Sequence, residues 1–173
     1  MRLGSRHLDR AAGRTVNRHL SDGQLRLLGG CLCGAVRYQI EGAPLFVRQC
    51  CCRDCQKATG TGHTTIIGLR KSQLSVIGVT KSYSNAGASG GSVSRHFCPI
   101  CAGRLYTSGT LPGEVVLVQA GSLDDPNQVQ PSAVIYWKDA VSWDRFDERL
   151  PKFEQMQPFD ARTSAAVKGG TDP

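Results

Sequence analysis

Aromatic residues are scarce in this chain, at 6%. That limits both the size of its core and the stacking surface it can offer to bases. Long apolar runs are missing as well, and none approaches the roughly 20 residues that a bilayer-spanning helix needs. The N-terminus, MRLGSRHLDRAAGRTVNRHL, has no apolar stretch of the kind a secretory signal carries. This argues for a cytoplasmic protein with no membrane partner. The body of the chain also lacks a strong charge of one sign. The net charge is +7, but +4 of it lies in the first 28 residues, where six arginines face Asp9 and Asp22, and the remainder carries only +3. So mild a basic balance argues against a nucleic-acid partner.

What the chain has in excess is cysteine, eight in 173 residues. In a reducing compartment a disulfide framework is the weaker explanation. Cysteines in short C-x-C and C-x-x-C pairs read instead as metal ligands. Two bound cations would account for most of the eight and would add stability that a modest core lacks.

Residues 1–28 carry Arg2, Arg6, Arg10, Arg14 and Arg18 at four-residue spacing. On a helix these would drift along one face, as in a basic anchor or an organelle address. Gly4, Gly13 and the ragged apolar positions favour a disordered tail. A domain follows over 29–159, and 160–173 reads as a second disordered tail. Within the domain, CLCGAVRYQI alternates like a strand. LFVRQC, HTTIIGL, LSVIGV, SVSRHF, EVVLVQAGSL and SAVIYW read as further strands, punctuated by Gly, Ser, Lys and Pro. Residues 53–58 fit one helical turn ended by Gly60, and 144–150 a short helical piece stopped by Pro151. Many short strands with glycine-rich punctuation predict an all-β fold.

Cys98 and Cys101, in FCPIC, form a knuckle in which two thiolates on a tight turn converge on one cation. Cys31 and Cys33, in GGCLCG, lie two apart and on a strand would also point the same way. Four thiolates make a closed tetrahedral zinc site, a structural one because no coordination position stays open. A redox dithiol is the competing reading for Cys98 and Cys101, but it belongs at a helix start in a βαβ unit, and these flanks are β-rich.

The stretch QCCCRDCQ holds four more sulfurs. If residues 45–52 are extended, Cys50 and Cys52 face one side and Cys51 the other. Cys55 follows Cys52 at knuckle spacing. Cys50, Cys52 and Cys55 are therefore candidates for a second zinc, with an open fourth position of the catalytic type. Such a soft site favours an external sulfur as fourth ligand and would hold it as thiolate, ready to add to an aldehyde. The alternative is a closed site in which Cys51, His63 or His96 completes the set.

The pieces GGCLCGAVRY, CCCRDCQKATG, SVSRHFCPICAGRLY, AGSLDDP and LPKFEQMQP follow one another in that order over about residues 29–159. Together they resemble the glutathione-dependent formaldehyde-activating family, also called the centromere-protein-V/GFA domain. The resemblance implies a zinc-stabilised β-tent of the Mss4-like type. It implies a structural zinc on Cys31, Cys33, Cys98 and Cys101, and a second on Cys50, Cys52 and Cys55, the residues that would also be catalytic. It implies carbon–sulfur lyase activity on glutathione, or a similar small thiol, and a small aldehyde, with S-hydroxymethylglutathione as the adduct. The chain departs from the family pattern twice. Cys51 stands where the family usually has His, and Ala102 stands where it usually has the Gly of C-x-x-C-G. If that position requires a positive φ, Ala102 strains the knuckle unless Gly103 absorbs the turn.

Other residues carry weaker signals. Arg95 and His96 could donate to metal-bound sulfur or to a substrate carboxylate, or simply alternate along a strand. His63 is a candidate general base or plain polar surface. Asp124 and Asp125 read most simply as a turn before Pro126. Arg53 and Lys57 could attract an anionic thiol. Two further functions compete with the lyase. One is a non-catalytic zinc-stabilised binding module, chaperone-like or nucleic-acid-associated. The other is a sulfur-redox enzyme, which requires Cys51 to be exposed and acidified.

Overall fold

The computed structural model describes residues 25–87, 90–109 and 114–157. Most of the expected basic tail, and all of the tail at 160–173, lie outside the described residues. The strands are β1 (Arg26–Gly30), β2 (Arg37–Glu41), β3 (Phe46–Cys50), β4 (Thr64–Arg70), β5 (Leu74–Ile77), β6 (Lys81–Ala86), β7 (Ser92–Phe97), β8 (Arg104–Gly109), β9 (Val115–Gln119), β10 (Ala133–Ile135) and β11 (Lys152–Phe153). The α-helix among the described residues is α1 (Arg53–Thr59). The fold is all-β, as expected, and β1 already starts at Arg26, ahead of the expected boundary at 29.

The strands form two layers. One is a three-stranded antiparallel sheet in the order β1-β2-β5, and the other an eight-stranded sheet in the order β11-β10-β3-β4-β9-β8-β7-β6. Period-two alternation decides what each face carries. Leu27, Tyr38 and Ile40 of the small sheet pack with Val36 against Val47, Ile67, Leu69, Leu105, Val116 and Val118 of the large one. Each such side chain contributes roughly 1.5–3 kcal/mol by leaving water.

The alternate residues of the large sheet turn the other way. Cys50, Ile66 and Ile135 form a second buried cluster there, flanked by Phe46, Cys52, Cys55, Leu117, Tyr136 and Phe153. Phe46 can lie flat on this face because Gly68 has no side chain; a Cβ there would meet the ring at 2.3 Å. Arg48 stacks over the same ring, 4.5 Å from its centroid. One face of the large sheet thus holds the fold together, and the other carries the candidate site.

Several expected elements differ. The CLCGAVRYQI strand covers only its last part, β2. Residues 31–36 instead make a turn, closed by Cys31 N–H to Val36 O at 3.0 Å and Gly34 N–H to Cys31 O at 3.1 Å. Residues 144–150 are irregular rather than helical, with one turn closed from Leu150 N–H to Asp147 O at 3.2 Å. EVVLVQAGSL leaves the sheet after Gln119 and tightens into a 3-10 turn, Ala120–Ser122.

Candidate metal centres and active site

Two tight turns build the first centre. Gly34, at φ 79°, lets residues 31–36 double back, and the Val36 N–H donates to Cys31 Sγ at 3.2 Å. The second turn is closed by Ala102 N–H to Cys98 O at 2.9 Å, and the Ile100 N–H donates to Cys98 Sγ at 3.4 Å. Gly103 lets the two turns meet, since a Cβ there would lie 3.3 Å from both Cys101 Sγ and Leu32 N. Gly103 does not absorb the strained torsion, however; Ala102 itself adopts φ 57°.

Cys31, Cys33, Cys98 and Cys101 converge, with all four sulfurs within 4.8 Å of one another. Cys31 Sγ lies 3.6 Å from Cys33 Sγ, which lies 3.8 Å from Cys98 Sγ. A tetrahedron of metal–sulfur bonds of about 2.3 Å has edges of about 3.8 Å, so the set fits zinc. Backbone N–H groups of Gly103 and Cys33 hold Cys101 down to about 6, readying it as a thiolate. The pairs converge through turns rather than through strand alternation, so the ligand set was readable although the local structure was not.

The second centre sits where β3 gives way to α1. Cys50 ends the strand, Cys52 is the N-cap at φ −58° and ψ 147°, and Cys55 lies in the first helical turn. Gly60, at φ 72°, stops the helix by donating its N–H to Gln56 O at 2.8 Å. The three sulfurs lie within 4.8 Å of one another, close enough to share one metal. Hydrogen bonds from Cys50 and Cys55 draw Cys52 down to about 3, and the charge of Arg95 adds to the effect. Cys50 is driven the opposite way, by its hydrogen bonds to Cys52 and Cys55 and by burial.

Cys51 stays apart from this group. It is fully buried, its N–H donates to Ile135 O at 3.0 Å, and burial and then the charge of Asp144 push its thiol up to about 11. Gln56 clamps it by donating to Cys51 O at 2.6 Å and to Asp139 O at 2.8 Å. A buried thiol held protonated does not suit the sulfur-redox reading. Neither histidine joins the sulfurs. His63 lies 2.5 Å from Asp144 Oδ2 through Nδ1 and 3.1 Å from Gln49 through Nε2. His96 stacks on Tyr106 at 4.2 Å and bonds Ser108 Oγ at 2.9 Å.

Cys50, Cys52 and Cys55 line a cavity of about 390 Å³. Its walls come from α1, β7, β8, β9 and the segment after β10. Arg95 is held there by Asp54 at 3.0 Å and by Asn85. Arg53 bonds Gln56. Arg104, Tyr136, Lys138 and Asp139 also line the cavity and went unnoticed in the sequence, because no spacing links them to the cysteines. Tyr136 adopts φ 56°, a costly conformation for a bulky residue and one that tends to mark functional sites. Asp124 pairs with Arg37 and Asp125 caps the turn at Pro126–Gln128, away from this chemistry.

A family model described as "Glutathione-dependent formaldehyde-activating enzyme" matches residues 26–139. The chain belongs to that family. The matched span runs from β1 to just beyond the segment that carries Tyr136, so it takes in both cysteine centres. Among solved structures, a Rhodobacter sphaeroides protein is similar at 22% identity and a TM-score of 0.46, covering 57% of this chain and 88% of its own. No curated protein matches the chain. Among the described residues no helix is long and apolar enough to cross a membrane.

Proposed function

We propose that this protein is a cytoplasmic zinc-dependent carbon–sulfur lyase that forms or breaks a thiol–aldehyde adduct, with S-hydroxymethylglutathione as the adduct the family description suggests. One observation carries the reading: three convergent sulfurs border a cavity, and no described residue supplies a fourth ligand. Zinc held by Cys50, Cys52 and Cys55 would keep an incoming thiol ionised at neutral pH. The protein's own residues do the rest. Cys50, Cys52 and Cys55 fix the place of the reacting sulfur, and the apolar wall of Ile66 and Leu117 limits water. In the forward direction a carbon–sulfur bond forms, the carbonyl π pair moves to oxygen, and that oxygen takes the proton released by the thiol. The reverse sequence breaks the adduct. Cys31, Cys33, Cys98 and Cys101 serve structure.

The test is a glutathione titration of the cobalt-substituted protein, following the visible thiolate–cobalt bands. A saturable shift is expected as an external thiol enters the three-sulfur centre. An unchanged spectrum with both centres loaded would reject the lyase and leave a zinc-stabilised binding module.

A further inference from the structure

Two arginines reach the cavity from neighbouring strands, and the fold treats them differently. Arg95 of β7 is spent on Asp54 and Asn85. Arg104 opens β8, immediately after the Cys98–Cys101 turn, and pairs across to Phe97 where the register with β7 shifts. Its Nη1 is shielded from solvent and has no hydrogen-bond partner among the described residues. A buried polar group without a partner costs roughly 1–3 kcal/mol, and more when it is charged. Such an expense at a cavity wall calls for a reason.

Neutralising the cysteine thiolates is one candidate reason, since Arg104 feels the charges of Cys55 and Cys52. That accounts for a positive charge but leaves Nη1 without a hydrogen-bond partner. A guanidinium fork matches a carboxylate, bonding it through two parallel N–H groups. The other cations of the cavity are less suited. Arg53 and Lys138 are exposed, Arg53 is engaged by Gln56, and Arg95 is already paired. The cavity, at about 390 Å³, is of a size that holds a small molecule.

We propose that Arg104 is the specificity-determining residue of the cavity, seating a carboxylate of the incoming thiol so that acidic thiols are selected over neutral ones. This rests on the reading of the three-sulfur centre as the thiol site. Arg104 holds one end of the ligand while the sulfur lies at Cys50, Cys52 and Cys55.

The experiment compares the zinc-loaded wild type with Arg104→Gln and Arg104→Lys. Three probes are titrated by calorimetry: glutathione, its diethyl ester, and S-methylglutathione, whose blocked sulfur is a poor metal ligand. The wild type is expected to bind glutathione more tightly than the ester by roughly ten- to a hundredfold, the scale of a charge-assisted hydrogen bond. Arg104→Gln should erase that preference, glutathione and its ester then binding alike, and Arg104→Lys should keep part of it. Neither variant should melt below the wild type, since the unpartnered Nη1 contributes no bond to the fold, and the lysine variant guards against a fold defect in the glutamine one. S-methylglutathione separates the two ideas. If it binds the wild type and not Arg104→Gln while free glutathione gains nothing from its sulfur, the carboxylate seat stands and the lyase reading falls. Equal preference in wild type and Arg104→Gln, or no preference in either, overturns the role of Arg104.

Discussion

Ala102 stands in the left-handed region at φ 57°, at the point where the Cys98–Cys101 turn rejoins the sheet. An L-residue there costs roughly 1–2 kcal/mol, which glycine escapes at an entropic cost of its own of about 0.5–1 kcal/mol. Ala102→Gly is therefore expected to stabilise the zinc-loaded protein by about 0.5–1 kcal/mol. Chemical denaturation at constant zinc checks this, and an unchanged or lower midpoint would mean that the strain is absent. The sequence pointed to this position through the Gly that the resembled family usually has there, on the condition of a positive φ that the structure meets. Gly103 was the wrong relief, since its bareness serves the approach of Leu32 N and Cys101 Sγ instead. Cys51 was equally readable as the sulfur left over, although the strand expected over 45–52 ends at Cys50; the turn into α1 keeps Cys51 apart from the other three and buries it completely. Arg104 and Tyr136 were not readable, because their place beside the sulfurs arises only when β8 and the segment after β10 are brought to β3.

At the scale of elements, sequence reasoning recognised most strands and overlooked β1, β6, β8 and β11. β6, KSYSNA, is nearly all exposed at the edge of the large sheet, so no buried face imprints a pattern on it. The 31–36 turn was misread because its small residues alternate by chance, while its real signal was Gly34, directly after the second of its two cysteines and at a positive φ. The two cysteine centres also sit on different elements, which supports the different roles proposed for them. The first joins the turn after β1 to the turn between β7 and β8, and so ties the small sheet to the large one. The second stays within the β3–α1 junction. Cys31→Ser should therefore lower the melting temperature of the whole domain and shed zinc. Cys52→Ser should melt close to the wild type and lose thiol binding. Melting curves paired with metal counts decide this, and matching losses of stability in the two variants would refute the division.

For the molecule as a whole, the main core and the candidate site lie on opposite faces of the large sheet, and Tyr38 belongs to the core side. Tyr38 is buried between the layers, its ring lies against Gly29, and its hydroxyl bonds Ser122 Oγ at 2.7 Å. Burial pushes its ionisation from an ordinary value of 10.0 up to about 12. Below 10.0 neither the folded nor the unfolded chain ionises this group, so its contribution is complete. As the pH climbs from there to about 12, the unfolded chain releases the proton first, and stability falls across that interval. The loss amounts to about 2–3 kcal/mol for this one group. Tyr38→Phe should begin about 1 kcal/mol less stable at neutral pH, for want of the bond to Ser122. Its alkaline stability curve should then be flatter than that of the wild type over the same interval. Denaturation midpoints measured at closely spaced alkaline pH values test this, and parallel curves would show that Tyr38 ionises as readily in the folded protein as in the unfolded chain. Glutathione titrations repeated at the upper end of neutral pH should be indifferent to Tyr38→Phe, because the cavity opens on the opposite face of the large sheet and shares no wall residue with Tyr38.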